Sequence, residues 1–326
     1  MTTVQNLYSA LDKQGISKRK LALLLPDWWT DEVEASPSGV QQAKVYLAKA
    51  LSLRMSPFSE TPPRIEFDLP ADKRFKKSAK TSETDVNLSV ALARSASRLA
   101  LSALDTQFVP PLSDALAIRE CLLSSGAPWV SLSALLDYCW SIGTPVIHLA
   151  TPLLGRKMDG IAMAINGRPS IVLSNNRKSG FLLFHLAHEL GHIALGHVGA
   201  NGTIVDDEIK DDDDLGKDAD ELAADQFAIQ LLTGNSLSKL SLQHLIKASV
   251  LARQAVQYGE EHKIDPTHIV LNCAHNNKRL FPLCVSAANF LVGKSTDPSL
   301  VTDFVFKPLQ GNLKHDSEHL LRKIIA

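Results

Sequence analysis

The most informative segment of the chain is FLLFHLAHELGHIALGH, residues 181–197. With Lys178-Ser179-Gly180 before it, it makes one helical pattern over 178–197, apolar enough to be buried. His188 and His192 are four apart, so both imidazoles fall on one helix face and can reach one metal ion. Zinc suits such donors, with imidazole nitrogens about 2.0–2.1 Å from the ion. Glu189 sits beside them, positioned to hold a water and take its proton. Without a metal or hydrogen-bond partners, burying these groups side by side would be costly. His185 lies nearly on the face of His192 and reads as a core histidine or a cleft-lining one. His197 is rotated off that face and reads as a surface residue.

A catalytic zinc needs a third protein ligand and an open position. The next helical pattern, 218–232, offers Asp218, Asp220, Glu221 and Asp225. Phe227, Ala228, Leu231 and Leu232 form its apolar face, while Glu221 and Asp225 share another. Glu221 is expected to bind the metal and Asp225 to accept a hydrogen bond from a ligating histidine. Asp218 and Asp220 compete for ligation but fall nearer the loop.

Between residues 145 and 174 the pattern changes to strands. Pro145–Leu149 is short and apolar, and Gly160–Ile165 and Ile171–Ser174 flank Asn166-Gly167, a favoured hairpin dipeptide. Gly160, Ile161, Ala162 and Met163 are expected to form an edge strand whose backbone receives a peptide as an added strand. Elsewhere the periodicity is helical: 5–26 as two helices with Ser17 capping the second, 39–54, 86–106, 112–124, Ser131 to Trp140 closed by Gly143, 242–263 and 266–274, with a helical tail.

Composition narrows the class. With 45% hydrophobic and 21% charged residues the chain reads as globular, and no apolar run is long enough to span a membrane. No basic, apolar leader opens the sequence, and four cysteines make no disulfide framework, so a cytoplasmic setting is expected. Cys139 and Cys273 lie in apolar patterns and are expected to pack as small hydrophobes. The net charge of −1 conceals a run over 206–225 with eleven acids and two bases, read as a solvated loop.

The motif GISKRKLALLLP (15–26), with LAKALSL (47–53), resembles a helix-turn-helix of the Xre repressor type. The segment where a recognition helix would lie, DWWTDEVEASPSG (27–39), is acidic, so specific DNA binding is not expected. The Trp28-Trp29 pair would suit a protein interface instead. Pro57, Pro62, Pro63 and Pro70, followed by Lys73, Arg74, Lys76, Lys77 and Lys80, mark 56–85 as a linker or arm.

Residues 128–232 resemble the ImmA/IrrE family of metallo-endopeptidases. The resemblance is carried, in order, by SLSALLDYCWSIG, PVIHLA, DGIAMAINGRPSIVLS, HLAHELGHIALGH and ELAADQFAIQLL. LARQAVQYGEEHKIDPTHIVLNCA is similar to the helix pair that follows in that family. The resemblance implies a gluzincin-like zinc site of His188, His192 and Glu221 with Glu189 as base, and a protein substrate, commonly a repressor. The chain departs from the family at Ala223, where an acid is common, and in residues 1–85.

The expectation is therefore an α+β fold, mostly helical. It has a zincin-like core, a small sheet with an edge hairpin, an active-site HExxH helix and a small helical N-terminal domain. The expected divisions are 1–55, a linker 56–85, a peptidase domain 86–275 and an extension 276–326. The expected activity is zinc-dependent cleavage of a protein partner. The rivals are a non-hydrolytic binder on the same fold and a DNA-bound regulator.

Overall fold

A computed structural model describes residues 3–70, 73–75, 83–149, 153–154, 158–174, 179–207, 219–235, 240–242, 246–292 and 298–325. The acidic residues 208–218, Asp218 included, lie outside these, as do Lys76, Lys77 and Lys80 of the arm.

The N-terminal part is five helices, α1 (Val4–Asp12), α2 (Lys18–Leu24), α3 (Asp31–Ala35), α4 (Pro37–Ala50) and α5 (Met55–Ser59). Their starts follow side-chain caps. Ser17 Oγ accepts from Lys20 N at 3.4 Å, and Ser36 Oγ accepts from Gly39 N at 2.9 Å ahead of Pro37. The helix expected over 39–54 thus starts two residues earlier and stops at Ala50. DWWTDEVEASPSG holds only the five-residue α3 and the first residues of α4. Its Glu34 accepts from the Tyr8 hydroxyl at 2.6 Å and from Trp29 Nε1 at 3.2 Å. Of the tryptophan pair, Trp28 is exposed, whereas Trp29 is partly buried against the core.

The chain continues through β1 (Lys73–Phe75), α6 (Glu83–Ala103), α7 (Ala115–Ser124), α8 (Leu132–Ser141), β2 (Val146–His148), β3 (Met158–Ile165) and β4 (Arg168–Leu173). Next come α9 (Ser179–Ala194), β5 (Thr203–Asp207), α10 (Ala219–Thr233), α11 (Ala248–His262) and α12 (Pro266–Asn276). After a short 3₁₀ turn the chain ends in α13 (Phe281–Val292), α14 (Pro298–Leu309) and α15 (His315–Ile325).

The sheet order is β1-β5-β3-β4-β2. Asn166 and Gly167 both take positive φ, 52° and 78°, and join β3 to β4 with Gly160 opposite Leu173 and Ile165 opposite Arg168. β2 runs parallel to β4. β5 pairs antiparallel with the other side of β3, and β1 runs parallel to β5. The expected edge position of Gly160–Met163 is therefore corrected: β3 is hydrogen-bonded on both sides. The sequence pattern missed β5, the next element after the HExxH helix.

Alternation along the strands divides the interior. Ile161, Met163, Val172 and Val205 join a cluster with Leu92 and Ala96 of α6, helices α1, α2 and α4, and Leu320 and Ile324 of α15. Val146, Ile171 and Leu173 point the other way, against Leu135 of α8, Leu182 and Leu186 of α9 and Leu231 of α10. A third cluster joins α11, α12 and α13. Residues from α1 to α15 share the first cluster.

Candidate metal centre

Helices α9 and α10 bring the donor groups together. His188 Nε2 and His192 Nε2 face each other at 3.1 Å. Glu221 Oε2 lies 3.7 Å from the first nitrogen and Glu221 Oε1 lies 3.4 Å from the second. The two rings are each 1% exposed and Glu221 is 7% exposed. Two imidazole nitrogens turned toward each other and a carboxylate, all removed from water, are a donor set that can hold a metal ion.

The close approach of the helices depends on small residues at the crossing. A Cβ on Gly191 would stand 3.1 Å from Phe227 Cδ1 and 3.3 Å from Ala224 Cα. Gly191, the second variable position of HExxH, therefore lets α10 come near enough for Glu221 to reach the histidines. Glu221 rather than Asp220 is the α10 acid in this group, and Asp220 Oδ1 instead lies 3.6 Å from His197 Nε2. Asp225 Oδ1 is 2.9 Å from His188 Nδ1, the nitrogen turned away from the donor cluster.

His197 corrects the surface reading. Its side chain is only 11% exposed, and its Nδ1 lies 2.9 Å from Nδ1 of His192. Extending the helix to residue 197 gave the wrong direction because α9 ends at Ala194 and Gly196 turns the chain at φ 75°.

Glu189 points at β3 and is 1% exposed. Gly160 leaves room for it, since a Cβ there would meet the Glu189 side chain. Ile161 and Met163 belong to the core on the far face of the sheet, so their side chains do not line this side. Asp159 and His185 are both buried, with Oδ1 and Nε2 3.6 Å apart, which ties β3 to α9 one turn before the motif.

The remaining histidines lie elsewhere. His268 stacks on Phe184, ring centroids 6.2 Å apart, and burial together with the charge of Arg119 lowers its pKa to about 4. Tyr258 stacks on His262, and His319 lies 3.3 Å from Asp27. Burial pushes the Cys139 thiol up, and burial beside Cys284 raises Cys273 to about 11, so both stay protonated and pack as apolar groups. Among the described residues no cysteine joins the donor group.

Arg119 escaped the sequence reading. Its buried guanidinium donates to the carbonyls of Leu231 and Leu232 at the end of α10 and of His262 and Lys263 at the end of α11. A sequence offers no signal for an arginine whose partners are all backbone oxygens.

A helix carrying HExxH under a small sheet, with a glutamate from the next helix on its two histidines, defines a domain of the metallopeptidase class. Residues 147–257 match the family model of the IrrE N-terminal-like domain, peptidase family M78, which supports the ImmA/IrrE family for this part of the chain. The match begins at β2 and runs into α11, and leaves α8 and residues 1–55 outside it. Compared with curated proteins and with solved structures, the chain finds no significant match. The family-model match implies a metallopeptidase, and with it a protein substrate. Among the described residues no helix is long and apolar enough to cross a membrane.

Proposed function

We propose that the chain is a zinc-dependent endopeptidase that cleaves one protein partner, a transcriptional repressor. The observation that carries this reading is the buried group of His188, His192 and Glu221. The donor separations of 3.1, 3.4 and 3.7 Å support zinc. Ligands about 2.0–2.1 Å from an ion at the centre of a tetrahedron stand roughly 3.3–3.4 Å apart.

His188, His192 and Glu221 would hold the ion, which would act as a Lewis acid toward water and the scissile carbonyl. Glu189 would take the proton of the attacking water and deliver it to the departing amine. Asp225 would hold the His188 ring through Nδ1, leaving Nε2 free to bind. The repressor as substrate rests on the family resemblance.

Metal analysis of the purified full chain, with and without the His188→Ala/His192→Ala pair, tests the centre. About one zinc per chain, lost in the double variant, is expected. A well-folded wild type that takes up no zinc would sink the reading. Co-expression with proteins encoded by neighbouring genes, comparing wild type with Glu189→Gln, identifies the protein that is cut.

A second reading is favoured by one observation. β5 pairs with the side of β3 that an added peptide strand would use. A chain whose strand is already satisfied could bind and sequester a partner without cutting it. Cleavage that depends on Glu189 would exclude this alternative.

A further inference from the structure

We infer that His197 is a positioning residue for the metal ligand His192, put there by the cap that ends α9. The inference rests on the metal-centre reading above, and it concerns how one ligand is aimed.

The cap is defined by two backbone bonds. His197 N donates to His192 O at 2.9 Å, and Gly196 N donates to Ile193 O at 3.2 Å, with Gly196 at φ 75°. This pairing folds the residue after the glycine back over the residue five earlier, and an apolar contact frequently joins those two. The same chain shows the ordinary version at α1. There Ile16 N donates to Leu11 O at 3.1 Å after Gly15 at φ 73°, and both side chains are buried hydrophobes. At α8 the pair is Cys139 and Thr144, also buried, with Thr144 N on Cys139 O at 2.9 Å. At α9 the two positions are occupied by imidazoles. Their ring centroids are 5.1 Å apart and their Nδ1 atoms are 2.9 Å apart.

Only one of two nitrogens at that distance carries the hydrogen. His192 Nε2 faces His188 and Glu221, so it must keep its lone pair free to bind a cation. The neutral ring then has its hydrogen on Nδ1, where it donates to His197 Nδ1. That leaves the hydrogen of His197 on Nε2, the atom facing Asp220 Oδ1 at 3.6 Å. This arrangement of hydrogens leaves His192 Nε2 ready to ligate.

Asp225 backs His188 directly from one turn beyond Glu221 on α10. His197 connects His192 to Asp220, the residue just before Glu221.

The test is zinc affinity by chelator competition on the full chain, alongside thermal unfolding of the metal-free protein. His197→Leu restores the apolar contact common in such caps and removes the acceptor. It is expected to weaken zinc binding by about 10–100-fold while leaving unfolding of the metal-free protein unchanged. His197→Gln, whose side-chain oxygen can accept from His192 Nδ1, is expected to recover much of that loss. A wild type that binds no zinc would overturn the metal centre, and this inference with it. A wild type that binds zinc while His197→Leu binds it equally would overturn the positioning role alone. So would a His197→Gln variant as weak as His197→Leu, or a His197→Leu variant altered only in metal-free stability.

Discussion

The side chain of Glu189 fills the space that a side chain at Gly160 would need. A Cβ built on Gly160 would overlap Glu189 Oε1 and lie 2.8 Å from its Cγ and Cδ. β3 therefore acts as the seat of the carboxylate read as the base. The small residue at 160 admits the Glu189 side chain.

Gly160→Ala should consequently move the carboxylate rather than the metal ligands. A misplacement of this size is expected to cost about 10²-fold in the rate of partner cleavage. Zinc content should stay at the wild-type level, because the three atoms nearest the added methyl group all belong to Glu189. Cleavage at the wild-type rate would remove the seat from the mechanism.

Glu189→Gln separates binding from proton transfer. The amide is nearly isosteric and cannot accept the proton, so zinc and fold should persist while cleavage falls by about 10²–10⁴-fold. Full activity in this variant would mean that another group is the base.

The two acids of α10 should differ in kind. Glu221→Ala removes a donor from the cluster and is expected to abolish tight zinc binding. Asp225→Ala leaves the donors in place and frees the His188 ring, for an expected loss of about 10–100-fold in affinity. Equal losses in the two variants, read by chelator competition, would contradict the division of roles.

The motif residues were legible because helix periodicity alone puts His188 and His192 on one face, and Glu221 and Asp225 on another. Strand alternation and Asn166-Gly167 gave the hairpin for the same local reason. What escaped the sequence was set by contacts distant along the chain. β5 turns β3 from an edge into an inner strand, and nothing within residues 158–165 signals that pairing. His197 was misjudged because one glycine at positive φ reverses the chain, which a helical wheel does not represent. The core shared by α1, α6 and α15 is likewise built from contacts distant along the chain.

His268 makes stability depend on pH. The ring is buried against Phe184, and its Nε2 has no hydrogen-bond partner among the described residues. Burial first, and the Arg119 charge second, lower its pKa from the ordinary 6.5 to about 4. Between those values the unfolded chain binds the proton and the folded chain does not. The contribution to stability is therefore complete above about pH 6.5 and is lost progressively as pH falls toward 4. At about 1.4 kcal/mol per pH unit, the loss by pH 5 is about 2 kcal/mol. Burial pushes the Asp265 carboxyl upward, and its protonation acts in the opposite sense, so the effect must be read as a difference between variants. Denaturant unfolding of the metal-free protein at pH 7.5 and pH 5 provides it, with His268→Phe keeping an aromatic ring against Phe184. The variant should lose about 2 kcal/mol less than the wild type between the two conditions. Equal losses in both proteins would assign the acid sensitivity to other groups.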